Sequence, residues 1–207
     1  MAPGQAAADL TAAVRAARDG SEAAFRELYR EVQPGLLRYL RGLVGTQDAE
    51  DVAAESWLQI ARDIRTFRDE GAGFRGWAAS IARHRAMDHL RYVQRRPTAS
   101  QSAEVLVDLP SRDDTAAAAV TAVATDAAVA FIATLPRDQA EAVLLRVVLG
   151  LDTAAAARVM GKRPGAVRTA TWRGLRTLST RLEQAGTPDA AATGTVWAGD
   201  LTPRTAG

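Results

Sequence analysis

Apolar side chains return every three to four residues wherever the chain is free of Gly and Pro clusters, and the strict alternation of a half-buried strand is almost absent. That spacing restricts the chain to amphipathic helices packed on one another, so the expected fold class is all-α. With 207 residues there is room for one domain or two small ones. The first stripe is Phe25, Leu28, Tyr29, Val32, Leu36, Leu37, Leu40, Leu43 and Val44, with Pro34 expected to break it into two helices and Gly45 to end it. Thr46 is the expected cap of the next helix, whose stripe is Val52, Ala53, Ser56, Trp57, Ile60, Ala61 and Ile64. A loop over 68–73 leads to a third helix from about Phe74 to Arg95, stopped by Pro97.

Residues 97 to about 114 have turn formers and no sustained period, and an Ala-rich helix follows, ending at Leu135-Pro136. Helices are then expected over Asp138–Leu149, Asp152–Met160 and about Pro164 to Gln184. The last two, separated by Gly161, have the layout of a helix-turn-helix. The Ala/Thr/Gly/Pro-rich end of the chain reads as disordered.

The chain has no cysteine, which removes disulfides, thiol nucleophiles and thiolate zinc sites, and leaves only His84 and His89 as imidazole donors. These lie five residues apart without carboxylate partners at ligand spacing, so no metal is expected, and no cofactor. A Gly-rich phosphate loop and a nucleophile elbow are both missing, so no catalytic residue is assigned. Neither a signal peptide nor a span able to cross a bilayer is apparent, and a cytoplasmic protein is expected.

Charge is sorted along the chain. Residues 74–96 carry Arg75, Arg83, Arg85, Arg91, Arg95 and Arg96 against Asp88, a net of +5. Residues 156–182 carry Arg158, Lys162, Arg163, Arg168, Arg173, Arg176 and Arg181 with no acid, a net of +7. The stretch 97–125 between them has a net of −3. Two basic blocks around an acidic connector point to two polyanion-binding surfaces.

The two blocks differ in build. In the last helix Val167, Thr171, Gly174, Leu175, Leu178 and Leu182 are expected to face the core. Arg168, Thr169, Trp172, Arg173 and Arg176 then point outward. Its start, with Pro164, Gly165 and Ala166 behind Lys162 and Arg163, matches the half of a recognition helix that enters a major groove. Arg168 and Arg173 suit guanine edges or phosphates, and Thr169 a base or phosphate.

The earlier block mixes Arg75, Arg83, Arg85, Arg91, Arg95 and Arg96 with Trp77, His84 and Tyr92, the combination on which unpaired bases stack while the backbone follows positive charge. Trp77 and Ile81 share a face that also suits a core. Asp88, three residues from both Arg85 and Arg91, suits a surface ion-pair hub. The second helix presents Asp48, Asp51, Glu55 and Gln59 opposite its apolar stripe, a face equally suited to solvent or to a basic protein surface.

The segments FRELYREVQPGLLRYLRGLVGTQDAEDVAAESWLQIARDI and FRGWAASIARHRAMDHLRYVQRR resemble region 2 of the extracytoplasmic-function (ECF) group of bacterial RNA polymerase sigma factors, within the sigma-70 family. LPRDQAEAVLLRVVLGLDTAAAARVMGKRPGAVRTATWRGLRTL resembles region 4 of the same group. The resemblance covers roughly 25–96 and 128–183. His84 stands where many members have Asn, and Thr169-Ala170 replaces the commoner Ser-Arg pair.

The resemblance implies two small helical domains joined by a flexible linker. Residues 1–20 would be an N-terminal extension, 21–96 region 2, 97–125 the acidic linker, 126–184 region 4 and 185–207 a disordered tail. It implies core RNA polymerase as partner, with Asp48, Asp51, Glu55 and Gln59 on the β′ clamp helices and region 4 at the β flap. Promoter DNA would be read as single-stranded −10 element by the 74–96 block and as duplex −35 element by Lys162, Arg163, Gly165, Arg168, Thr169, Trp172, Arg173 and Arg176. An anti-sigma factor is an implied partner, and membrane insertion is not. The alternative reading is a conventional dimeric helix-turn-helix transcriptional regulator on a palindrome.

Overall fold

The computed structural model describes residues 3–68, 72–95 and 116–186, all helices and short turns. Arg96, most of the acidic linker and the tail from 187 onward, with Trp197, lie outside the described residues. The helices are α1 (Pro3–Arg18), α2 (Glu22–Val44), α3 (Thr46–Asp63), α4 (Ala72–Arg95), α5 (Ala116–Ala133), α6 (Arg137–Val143), α7 (Thr153–Met160) and α8 (Pro164–Gly186). A 3-10 turn (Ile64–Thr66) follows α3, and a π turn (Leu144–Val148) follows α6.

Local chemistry sets the boundaries. Ser21 caps α2 by accepting from the Ala24 amide at 3.3 Å, and Asp152 caps α7 by accepting from Ala155 at 2.7 Å. Gly45, at φ +89°, makes the corner between α2 and α3, a backbone state that side chains with a β-carbon avoid.

Three expectations change here. Pro34 does not divide α2, which runs unbroken through it. The buried stripe of Leu28, Val32, Leu36, Tyr39 and Leu40 continues across the proline. Each such side chain stabilises by about 1.5–3 kcal/mol, which together outweighs the roughly 3 kcal/mol a helix-interior proline costs. Thr46 does not cap α3; it is the first helical residue, and the capping position is Gly45, with no side-chain bond. The segment 116–125, assigned to the linker, is the first half of α5.

α1, read as an extension, is part of the bundle. Leu10, Ala13, Val14 and Ala17 are buried, and α1 packs on α2. Around α2 gather α3 and α4, with Leu28, Leu36, Leu40, Ile60 and Phe74 fully buried. α4 meets the bundle through Ala78, Ala79, Ala82 and Ala86, small enough to let helix axes come close. In the second half α6 and α8 pair, with α7 between α6 and the start of α8. Gly174 sits so tightly that a β-carbon there would stand 2.8 Å from Val143 Cγ2 and 3.2 Å from Leu135 Cδ1.

The two halves are docked on each other. α2 turns a glycine face to the second half: a β-carbon at Gly42 would stand 2.5 Å from Leu144 Cδ1, and one at Gly35 3.2 Å from Leu149 Cδ2. Between these glycines Tyr39 is fully buried and donates to Glu141 Oε1 at 3.2 Å. Arg83 Nε of α4 donates to the same oxygen at 2.5 Å, and Glu141 is only 1% exposed. At the rim Arg41 holds Asp126 at 2.8 and 3.1 Å, and Arg137 donates to Met87 Sδ. α4 also packs against α7, where an ideal β-carbon on Gly76 would lie 3.7 Å from Ala155 Cβ. A cleft of about 360 Å³ opens along this seam, lined by Phe67, Trp77 and Ser80 on one side and Ala155, Arg158 and Val159 on the other.

Candidate nucleic-acid interface

The turn between α7 and α8 closes as a Schellman motif. Lys162 N–H reaches Ala157 O at 3.0 Å, Gly161 N–H reaches Arg158 O at 3.2 Å, and Gly161 takes the left-handed conformation at φ +64°. Pro164 then begins α8, with Val167 buried beneath it. Lys162, Arg163, Gly165, Arg168, Thr169, Trp172, Arg173 and Arg176 all lie exposed, as the sequence reading expects of a groove-reading face. Among the described residues no carboxylate pairs with Arg163, Arg168 or Arg173. Lys162 pairs with Asp138, and the Thr169 hydroxyl donates back to Gly165 O at 3.0 Å.

Trp172 is 57% exposed, with the Arg176 guanidinium 5.3 Å from its ring centroid, a cation–π stack that stiffens both. Leu175 and Leu182, expected in the core, are 45% and 61% exposed. α8 outruns the small bundle that covers it, so only Val167, Gly174 and Leu178 of that stripe find a close-packed floor.

The α4 face is built differently, because most of its cations are already engaged. Arg75 pairs with Glu31 of α2, Arg83 with Glu141, and Arg85 Nε donates to Gln59 Oε1 at 3.0 Å. Arg91 takes Asp88 at 3.1 Å, so Asp88 is half the hub expected: Arg85 turns instead to Gln59. Burial works against the Arg83 charge, but the hydrogen bond and charge of Glu141 outweigh it and hold its pKa above the ordinary guanidinium value. The Tyr39 pKa is raised well above its usual value, first by burial and then by the negative charge of Glu141.

Trp77 belongs to an aromatic cluster, its ring centroid 4.8 Å from Phe67 and 5.8 Å from Phe74, and is only partly open to the seam cleft. His84, Arg91, Tyr92 and Arg95 are exposed along the outer face. His89 Nε2 of α4 stands 3.0 Å from the Asp48 carboxylate of α3. Among the described residues no three His, Asp or Glu side chains gather as a metal-ligand set.

On α3, Asp51 and Glu55 are exposed, Asp48 leans to His89, and Gln59 is partly committed to Arg85. Leu58, absent from the sequence reading, lies among them 59% exposed, giving the acidic face an apolar centre. Glu141 was also missed. Its only signal is a lone acid inside the apolar run Ala140–Val148, where an unpaired carboxylate would be costly.

Two family models match the chain: Sigma-70 region 2 over residues 28–96 and Sigma-70, region 4 over residues 125–178. The ECF RNA polymerase sigma factor BldN of Streptomyces coelicolor is 34% identical over 171 residues, covering 80% of this chain and 63% of that protein. The ECF RNA polymerase sigma factor SigD of Mycobacterium tuberculosis is 33% identical over 185 residues, 86% of this chain and 85% of the relative. Among solved structures, CnrH in complex with the cytosolic domain of CnrY superposes with a TM-score of 0.60 at 19% identity, covering 86% of this chain and 99% of CnrH. The sigma factor RpoE of Bartonella quintana, in complex with the anti-sigma factor NepR, gives a TM-score of 0.57 at 18% identity over 77% of this chain and 96% of RpoE.

Proposed function

Because the chain belongs to the ECF sigma factors of bacterial RNA polymerase, we propose that it binds core polymerase and directs it to promoters, with 21–96 acting as region 2 and 126–184 as region 4. The observation that carries this reading is the exposed, carboxylate-free start of α8, presented by a helix-turn-helix on a chain that carries a second basic surface of different build. Its relatives are sigma factors, and the role assigned is binding, not catalysis.

In this reading α8 enters the major groove of the −35 duplex, with Arg168 and Arg173 on base edges or phosphates and Lys162, Arg163 and Arg176 on the backbone. The exposed outer face of α4, with His84, Arg91, Tyr92 and Arg95, takes the unpaired −10 strand. Stacking and phosphate contacts there offset the few kcal/mol per step that unstacking costs. Arg75, Trp77, Arg83 and Arg85 supply the inner part of that surface, Arg96 its end. The acidic face of α3, Asp48, Asp51, Glu55 and Gln59 around Leu58, docks on a basic surface of core polymerase, and region 4 meets the β flap. RpoE is bound to the anti-sigma factor NepR in its solved complex and CnrH to the cytosolic domain of CnrY, and a cytosolic anti-sigma factor is the further partner we assign by analogy with RpoE. No helix among the described residues is long and apolar enough to cross a membrane.

Runoff transcription with purified bacterial core polymerase on a genomic fragment library tests the assignment. New starts preceded by two motifs at fixed spacing are expected only when the protein is added. Absence of core binding, together with dimeric binding to a palindrome, would replace it with the dimeric regulator.

A further inference from the structure

On α8 the outward ridge opposite buried Val167 and Leu178 runs through Gly165, Thr169, Trp172 and Arg176, at helical spacing and all exposed. The side chains on it grow from none at Gly165 to an indole at Trp172, so the helix tapers towards its N-terminus. That taper sets how the helix can sit in a major groove. The start goes deepest, Thr169 meets base edges, and Trp172 stands towards the groove wall.

Gly165 is not required by the fold. A β-carbon built on it meets nothing within 4 Å, and its φ is not in the left-handed region that favours glycine. Within a helix glycine is less favourable than alanine, so the bare backbone at this point answers to something that approaches from outside.

Thr169 is committed in a different way. Its hydroxyl donates to Gly165 O at 3.0 Å, so its one proton is spent on the carbonyl a turn back. None is left for guanine N7 and O6, adenine N7 or thymine O4, the acceptors of a major-groove edge. What Thr169 brings to the ridge is its γ-methyl, next to the exposed methyl of Ala166. The apolar feature a major groove offers in return is the 5-methyl of thymine. We propose that Thr169, let in to the base edges by the missing side chain of Gly165, selects a thymine in the −35 duplex by methyl-to-methyl contact. The proposal rests on the reading of α8 as a groove-entering helix given above.

Random duplexes selected by the full chain with core polymerase supply the preferred sequence. Each thymine in it, on either strand, is then replaced singly by deoxyuridine, which lacks the 5-methyl and leaves the rest of the edge unaltered. Affinity, read by fluorescence anisotropy, should fall about three- to fivefold at one position, the size of one methyl taken from water. Thr169→Ser, which keeps the hydroxyl and removes the methyl, should bind the thymine and deoxyuridine duplexes equally. Thr169→Val, which keeps a methyl and loses the hydroxyl, should retain the preference. Gly165→Ala should leave thermal stability unchanged or higher, because the added methyl meets open space, yet weaken duplex binding at least about tenfold.

Equal affinity for every deoxyuridine duplex overturns the proposal, as does a preference that survives Thr169→Ser or vanishes in Thr169→Val. Undiminished duplex binding by Gly165→Ala removes the close approach and the proposal with it. Each of these results leaves the sigma reading standing if the chain still starts transcription from the selected sequence. Should it start none and select a palindrome without core polymerase, the sigma reading falls alone, and the same substitutions decide the role of Thr169 on that duplex. If the chain selects no duplex, both fall.

Discussion

α4 and α8 carry nearly the same sequence signal, runs of arginine with a single acid each, yet the structure treats them in opposite ways. Arg75, Arg83, Arg85 and Arg91 of α4 each have a protein partner, drawn from α2, α6, α3 and α4 itself. Arg163, Arg168 and Arg173 face solvent with no carboxylate paired to them among the described residues. Charge counted along a chain thus measures potential for polyanion binding, and the fold decides whether that potential is free or already spent. The α8 face needs only a duplex to meet it. On the proposed reading, nucleic acid at the α4 face would have to replace the internal partners of Arg75, Arg83, Arg85 and Arg91.

The largest effect tests the free side. Replacing Arg168 and Arg173 by Ala should weaken −35 duplex binding about 100-fold and flatten the slope of log affinity against log salt by up to about 2, with core-polymerase affinity unchanged. An equal loss of core binding would break the contrast by showing that α8 serves both partners. Next comes the engaged side: Glu141→Gln should weaken docking of the halves by about 2 kcal/mol, seen as a lower midpoint in urea for the seam. That is below the usual cost of breaking a buried pair, since Arg83 keeps 23% of its side chain exposed and the amide still accepts.

Arg75→Ala, which removes a half-exposed pair with Glu31, should cost under about 1 kcal/mol in thermal unfolding, and less still in high salt. The smallest effect under ordinary conditions is alkaline. The folded state raises the Tyr39 pKa, so the associated stability is complete below the unfolded value of about 10 and is lost as pH rises through the higher folded value. Tyrosinate absorbance of Tyr39, isolated as the difference from Tyr39→Phe, should appear together with opening of the seam. Duplex binding by α8, which depends on arginine, should persist over the same range.

Much of this was legible from residue spacing. The helix-turn-helix came from Gly161 and Pro164, and the outward set on α8 from the apolar positions Val167 and Leu178. What spacing alone does not carry is contact between distant segments. Pro34 reads as a breaker locally, but five buried neighbours on the same helix override it. Leu175 and Leu182 read as core because a periodic stripe says which side of a helix is apolar, not how far the neighbouring bundle extends beneath it. Tyr39 and Glu141, 102 residues apart, have no local mark of their pairing. The acidic face of α3 was visible as a pattern, whereas Leu58 at its centre was hidden by counting charges only.

The shared oxygen of Glu141 carries one more consequence. Two helices from one half donate to a single atom of the other, so neither bond survives as a stable half-measure: releasing Arg83 leaves Tyr39 against an uncompensated buried carboxylate, and releasing Tyr39 leaves Arg83 holding a seam already breached. The two bonds therefore hold the seam as one unit, and losing that single acceptor oxygen removes both.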